Sequence, residues 1–399
     1  MRSSLFLPLL LLLCSKLLGS PAAKKPTAAL FIFGDTTVSV GNNNYIVTLK
    51  GSRANRPPYG QNGSFGQPTG RFSDGRIIVD FIEEYAKLPP VPPYLQASSQ
   101  YIHGVNFASG GAGVLPETHQ GLVIGLQTQL KQFDKVKSSL SSELGDSEAN
   151  ELISNAVYCI NIGTNDYLSY LGNPKTQEAF APEEYVGLVI GNISEAIQEL
   201  YEKGARKFGI LSLPPLGCLP SLRAANPKAD GTCLEEASSL ALAHNSAVSA
   251  VLISFQYLLE GFKYAYSSGF YAWLYDLVHD PTRFGFKDGT TACCGSGPYR
   301  GEYSCGGKTD EGDEYEVCET IEDFVWWDSF HGTEKMAKKI ADSLWDGSPP
   351  WMEPYNLKSL FFDQEKTRVE DLADEEEEED AAAAAMEAFP GFNPKLKKA

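Results

Sequence analysis

Ala28-Ala-Leu-Phe-Ile-Phe33 runs apolar and unbroken into Gly34-Asp35-Thr36-Thr37, and the reading of this junction decides the fold. A short apolar run without polar alternation fits a strand buried on both faces, as in a parallel sheet. Runs of the same kind recur at residues 104–107, 157–162, 207–213 and 262–265. Helix-period segments lie between them at 77–87, 126–140, 183–203 and 233–259. Strands alternating with amphipathic helices predict βαβ units, and so an α/β chain with a central parallel sheet covered on both faces, a three-layer α/β/α sandwich. One domain spans residues 25–362, with no internal repeat.

The segments outside that domain read differently. Arg2, the apolar run 5–13 and the small residues Gly19, Ser20, Ala22 and Ala23 have the layout of a cleavable signal peptide, residues 1–23. The run is short for a membrane span and Lys16 interrupts it. No later segment reads as long and apolar enough to cross a bilayer, so the expectation is a mature chain without a stable membrane span. Residues 363–399 hold 12 acidic and 5 basic residues, with Asp374-Glu-Glu-Glu-Glu-Glu-Asp380 followed by five alanines. Such composition predicts a disordered acidic tail, solvated or recruiting a protein partner. The formal net charge of −18 argues against nucleic acid and anionic membrane as partners.

Cysteine usage agrees with export. After Cys14, six of the remaining seven (Cys218, Cys233, Cys293, Cys294, Cys305, Cys318) lie in sequence rich in glycine and polar residues, which predicts disulfides formed in an oxidising compartment. Local order favours Cys218 with Cys233 and Cys294 with Cys305. Cys159 lies in an apolar run and reads as a buried free thiol. Zinc is the rival reading, but no paired CxxC supports it. Asn62 and Asn192 each open an Asn-x-Ser triplet, so both are candidate glycosylation sites.

Four blocks carry chemistry. Gly34-Asp-Thr-Thr37 at the end of the first strand presents residue 36 at the crevice where open α/β sheets bind ligands. A hydroxyl there can attack an acyl carbon, and a backbone N–H at the start of a following helix can hold the oxyanion. The turn is expected to aim one residue at the crevice, leaving Thr37 and Ser39 as poor substitutes. Asn106-Phe-Ala-Ser-Gly110-Gly111-Ala-Gly113 brings backbone N–H groups close to a ligand. Ile162-Gly-Thr-Asn165-Asp166 offers an amide donor. In Asp328-Ser-Phe-His331 the carboxylate can orient the imidazole and stabilise its protonated form. A phosphate-binding loop is the rival for the glycine cluster, but no GxxxxGK[ST] occurs.

Together these blocks resemble the plant GDSL esterase/lipase family of SGNH hydrolases. The likeness extends through Gly41-Asn-Asn-Asn-Tyr45, Gly70-Arg-Phe-Ser-Asp-Gly-Arg76, Pro214-Pro-Leu-Gly-Cys218 and Trp327-Asp-Ser-Phe-His331. Gly295-Ser-Gly-Pro-Tyr-Arg-Gly301 and Pro354-Tyr-Asn-Leu-Lys-Ser-Leu360 resemble the defence-associated members. The resemblance implies a flavodoxin-like sheet, no metal or organic cofactor, and a small-molecule acyl ester or lipid as substrate. It places the nucleophile at residue 36, the acid and base at Asp328 and His331, and the oxyanion donors at the residue 36 N–H, Gly111 (or Gly110) and Asn165. It implies secretion to apoplast or cell wall, or retention in the endomembrane lumen or vacuole.

The chain departs from that pattern at the nucleophile. The family carries serine where Thr36 stands, and an aspartate a few residues later where Ser39 stands. The extra methyl stiffens χ1 and crowds the line of attack. Three functions compete: a slow or selective ester hydrolase, a pseudoenzyme that binds a lipid or ester, and an interaction scaffold. Intact Gly111, Asn165, Asp328 and His331 favour the first two.

Overall fold

The computed structural model describes residues 28–362, except 98, 99, 227, 229 and 308–314; the expected signal peptide and acidic tail lie outside the described residues. All five expected strands form: β1 (Leu30–Gly34), β2 (Gly104–Asn106), β3 (Val157–Asn161), β4 (Lys207–Ile210) and β5 (Lys263–Tyr266). They pair in parallel in the order β5-β4-β3-β1-β2. A two-residue strand, Glu353–Pro354, closes the β5 edge antiparallel. It is too short and too polar to show any pattern in the sequence.

The apolar run that opens the domain forms β1, whose side chains are fully buried. Phe31 packs edge-on against Phe133 and lies tilted over Tyr158. Aromatic pairs of this geometry stabilise by about 0.5–1.5 kcal/mol beyond area burial. The expected helices appear as Ile78–Tyr85, Leu126–Leu144, Pro182–Glu202 and Glu235–Leu258, each within a few residues of its expected span. Asp80 fixes the start of the first: its carboxylate accepts the Ile77 N–H at 2.8 Å and pairs with Arg71 at 2.6 Å.

One expectation is corrected. By length and composition the helix Glu235–Leu258 could cross a membrane. More than half of its most apolar stretch is buried inside the fold. Its apolar character is that of a core helix.

The cysteines pair as Cys218–Cys233, Cys294–Cys305 and Cys293–Cys318, and Cys159 is free. Both locally favoured pairs form, and the six thiols so used are not zinc ligands. The two bridges near residue 294 build a second small core, in which Tyr59, Phe72 and Trp327 are buried beside them.

Candidate active site

In a sheet of this order the strand order reverses between β1 and β3, and the crevice beyond their C-terminal ends is the natural ligand site. Residues 35–38 leave β1 there as a tight turn. The helix expected directly after Thr36 is absent; the next helical turn is Asn42–Tyr45. Asp35 holds the turn instead, its Oδ1 accepting the Thr37 N–H at 3.0 Å. A second correction follows, because Thr37 lines the same cavities as Thr36. The turn thus brings two residues to the crevice. Ser39 is not one of them: it is buried and donates to the Ala108 carbonyl at 3.1 Å.

The glycine block is positioned by side chains from the Gly41-to-Tyr45 motif. Asn43 accepts the Gly110 N–H at 2.8 Å and donates to the Gly110 carbonyl at 2.9 Å. Both polar backbone groups of Gly110 are therefore occupied. The Gly111 N–H has no hydrogen-bond partner among the described residues, nor has that of Thr36. Gly111 sits at φ +81°, a conformation glycine adopts at no steric cost.

After β3, Gly163 turns the chain into the helix Thr164–Leu171. Asn165 donates one amide hydrogen to the Ala112 carbonyl at 2.9 Å, and its second amide hydrogen remains for a ligand. Asp166 ties this corner to the glycine loop, accepting the N–H groups of Val114 (2.8 Å) and Leu115 (3.0 Å) and the Thr118 hydroxyl (2.6 Å).

The fourth block follows the strand Phe324–Trp326. His331 Nδ1 lies 2.8 and 3.0 Å from the two Asp328 carboxylate oxygens. Asp328 is fully buried. Burial pushes its pKa up, but the charge and hydrogen bond of His331, the Phe330 N–H and the Tyr59 hydroxyl outweigh it and hold the carboxyl below its usual range. Tyr59 donates to Oδ2 at 2.9 Å. Phe72 packs on the imidazole, with ring centroids 4.9 Å apart. Neither residue was visible as a site residue in the sequence: Tyr59 stands in no motif, and Phe72, although inside the Gly70-to-Arg76 stretch, lies more than 250 positions from the histidine.

Thr36, Gly111, Asn165 and His331 line one cavity, with about 1060 Å³ of open space, and Asp328 stands behind the histidine. No hydrogen bond joins the Thr36 hydroxyl to His331, and catalytic hydrogen bonds are often long until substrate is bound. Asp35 lies close enough for the His331 charge to act on it; burial nevertheless raises its pKa from 3.8 to about 6. Asn62 and Asn192 are elsewhere, the first exposed and the second on the helix Pro182–Glu202.

The chain is similar to known proteins over most of its length. The sequence profile of GDSL-like lipase/acylhydrolase matches residues 30–344. GDSL esterase/lipase 1 of Arabidopsis thaliana is 46% identical over 338 residues, covering 84% of this chain and 90% of the relative. GDSL esterase/lipase 5 of the same plant is 46% identical over 347 residues, covering 84% and 87%. A GDSL lipase of Tanacetum cinerariifolium is 43% identical over 362 residues, covering 91% and 95%. On the profile match, the identity and the coverage together, the chain belongs to the GDSL-like lipase/acylhydrolase family of ester-bond hydrolases.

Proposed function

We propose that this protein hydrolyses carboxylic esters, with lipid acyl esters as the substrate class, through Thr36 as nucleophile. The observation that carries the reading is convergence: two free backbone N–H groups, a free amide hydrogen, a hydroxyl and a carboxylate-anchored imidazole meet around one cavity. His331, held in one tautomer by Asp328, takes the Thr36 proton. The Thr36 oxygen bonds to the ester carbon. The Thr36 and Gly111 N–H groups and the Asn165 amide hold the negative charge that develops on the carbonyl oxygen. His331 passes its proton to the departing alcohol, and water repeats the sequence in reverse to release the acid.

Threonine slows this cycle. Its methyl restricts χ1, and a misplacement of about 1 Å in such a site costs on the order of a hundredfold. The test is hydrolysis of short- and medium-chain p-nitrophenyl esters by the wild type, Thr36→Ser and His331→Ala. The reading expects measurable wild-type turnover, a gain of roughly tenfold or more in kcat with serine, and loss of turnover with His331→Ala. The unmade hydrogen bond between Thr36 and His331 favours one other reading, a pseudoenzyme that binds its ester without turnover. Silence from the wild type beside an active Thr36→Ser would establish it.

The wider assignment follows the same reading. Three disulfides support passage through an oxidising compartment. Export by residues 1–23 would deliver the domain to the apoplast or cell wall, or to the endomembrane lumen, as in a defence role. Glycans at Asn62 and Asn192 would appear as a mobility shift on endoglycosidase treatment of the plant-expressed protein.

A further inference from the structure

Two cavities meet at Thr36 and His331, and they differ in character. One, described above, is rimmed by Ser52, His119, Ser169 and Tyr303. The other runs inward between the sheet and the helices Ile78–Tyr85 and Glu334–Asp346, with an apolar wall that includes Leu274, Met336 and Ile340. Beyond it, a smaller cavity shares Ile78, Asn161 and Leu211 as walls. Its far end is formed by Cys159, Leu344 and Leu357. Among the described residues no Asp, Glu, Lys or Arg lines either inner cavity, and His331 stands at the mouth.

We infer that the two inner cavities form one channel that takes the acyl chain of a long-chain ester, while the alcohol portion occupies the cavity rimmed by Ser52, His119 and Tyr303. The inference rests on the ester-hydrolase reading for its chemistry, but the space itself is a property of the fold. Protein interiors leave few voids larger than a water molecule, and an unfilled apolar cavity costs stability in proportion to its volume. The oxyanion donors Gly111 and Asn165 line the other cavity, so a carbonyl held by them can direct its acyl substituent inward and its alcohol outward.

Two residues in the middle of the sheet border the far end. Cys159 on β3 retains uncovered surface, although burial pushes its thiol up to about 12. Both hold together if that surface faces the internal cavity. Gly209 on β4 lines the same space, and glycine inside a strand often marks a close approach. A Cβ there would lie 3.3 Å from Cys159 Sγ and 2.6 Å from a Leu357 methyl. A side chain at 209 must therefore displace Leu357, a wall of that far end, and a larger residue at 159 enters the space directly.

The experiment pairs a hydrolytic with a non-hydrolytic measurement on the full chain. p-Nitrophenyl esters from butyrate to palmitate are compared by kcat/KM, and saturated fatty acids of the same lengths are used to displace fluorescent cis-parinaric acid. Each methylene accommodated should raise kcat/KM and affinity by about fourfold, up to a length limit. Cys159→Leu and Gly209→Ala should each lower the myristate-to-butyrate ratio of kcat/KM by at least tenfold and bring the limit to shorter chains. Length-dependent fatty-acid binding without hydrolysis supports the channel and removes the hydrolase reading. Hydrolysis with the same flat chain-length profile in wild type and both variants overturns the channel and leaves the hydrolase reading intact. Should neither variant fold, wild-type fatty-acid affinity that does not change with chain length overturns the channel.

Discussion

Asp328 is the residue on which the proposed base depends, and its environment is built to keep it charged. Four groups converge on it: the imidazole, the N–H groups of Phe330 and His331 at 2.9 and 2.8 Å, and the Tyr59 hydroxyl. Asp328→Asn should lower kcat on the order of a thousandfold or more, because an amide misassigns the histidine tautomer. Tyr59→Phe removes one hydrogen bond to a buried carboxylate, an interaction of about 1.5–3 kcal/mol. It should lower kcat/KM roughly tenfold and move the acid limb of the pH–rate profile upward, with little change at high pH. Equal loss at every pH would mean that Tyr59 serves packing alone.

Asp35 has the opposite environment. It is buried, its Oδ2 has no partner, and its pKa is raised from 3.8 to about 6. The fold favours its neutral form. That stabilisation is complete below the unfolded pKa near 4 and is lost as pH rises through about 6. Two pKa units correspond to about 3 kcal/mol at most. Asp35→Asn keeps an acceptor for the Thr37 N–H and removes the titration. The variant should therefore gain stability relative to the wild type between pH 4 and 7 in thermal melts, and keep the gain at pH 8. A constant difference between the two across that range would show that Asp35 does not titrate there.

At the scale of elements, the Asp328–His331 loop is held from both sides. The small disulfide core grips its start, where the N–H groups of Cys293 and Cys294 donate to the Trp326 and Trp327 carbonyls at 2.9 and 2.7 Å. The helix Glu334–Asp346 grips its end: Thr333 caps it by accepting the Met336 N–H at 3.3 Å. Replacing Cys294 and Cys305 together by serine opens an 11-residue separation and should cost about 3 kcal/mol, with activity lost at lower denaturant than in the wild type. Coincident denaturation curves would place the anchorage elsewhere. Thr333→Ala should cost about 1 kcal/mol.

The five strands were legible in the sequence because each is a short apolar run buried on both faces, and the four long helices because each keeps an apolar stripe. Phe270–His279 was missed, since Phe270-Tyr-Ala-Trp-Leu-Tyr275 is too uniformly apolar and aromatic to show a period. The pair of strands Asp288–Ala292 and Phe324–Trp326 was missed as well. The first of these, Asp-Gly-Thr-Thr-Ala, reads as a turn, and only the neighbouring disulfides and Trp326 make it a strand. The missing helix after Thr36 has a local cause: Asp35 closes a turn through the Thr37 N–H where a helix was expected to begin.

For the whole molecule, strand order does what no single motif can. The order β5-β4-β3-β1-β2 brings the ends of β1 and β3 together with the glycine loop after β2, although residues 36, 111 and 165 are far apart in the chain. His331 arrives from the far end of the domain. Four weak signals, each common by chance, become one site only because the sheet collects them. The sequence could rank Thr36 above Thr37 only by position, whereas both residues border the crevice. The central claim, that Thr36 is the nucleophile, is tested most directly by a fluorophosphonate probe. Attack by the nucleophile's oxygen on phosphorus expels fluoride and leaves a stable adduct, which peptide mapping by mass spectrometry can locate. The account predicts an adduct on Thr36 that is absent from His331→Ala and forms faster in Thr36→Ser. An adduct on Thr37, or labelling that survives in His331→Ala, would contradict it.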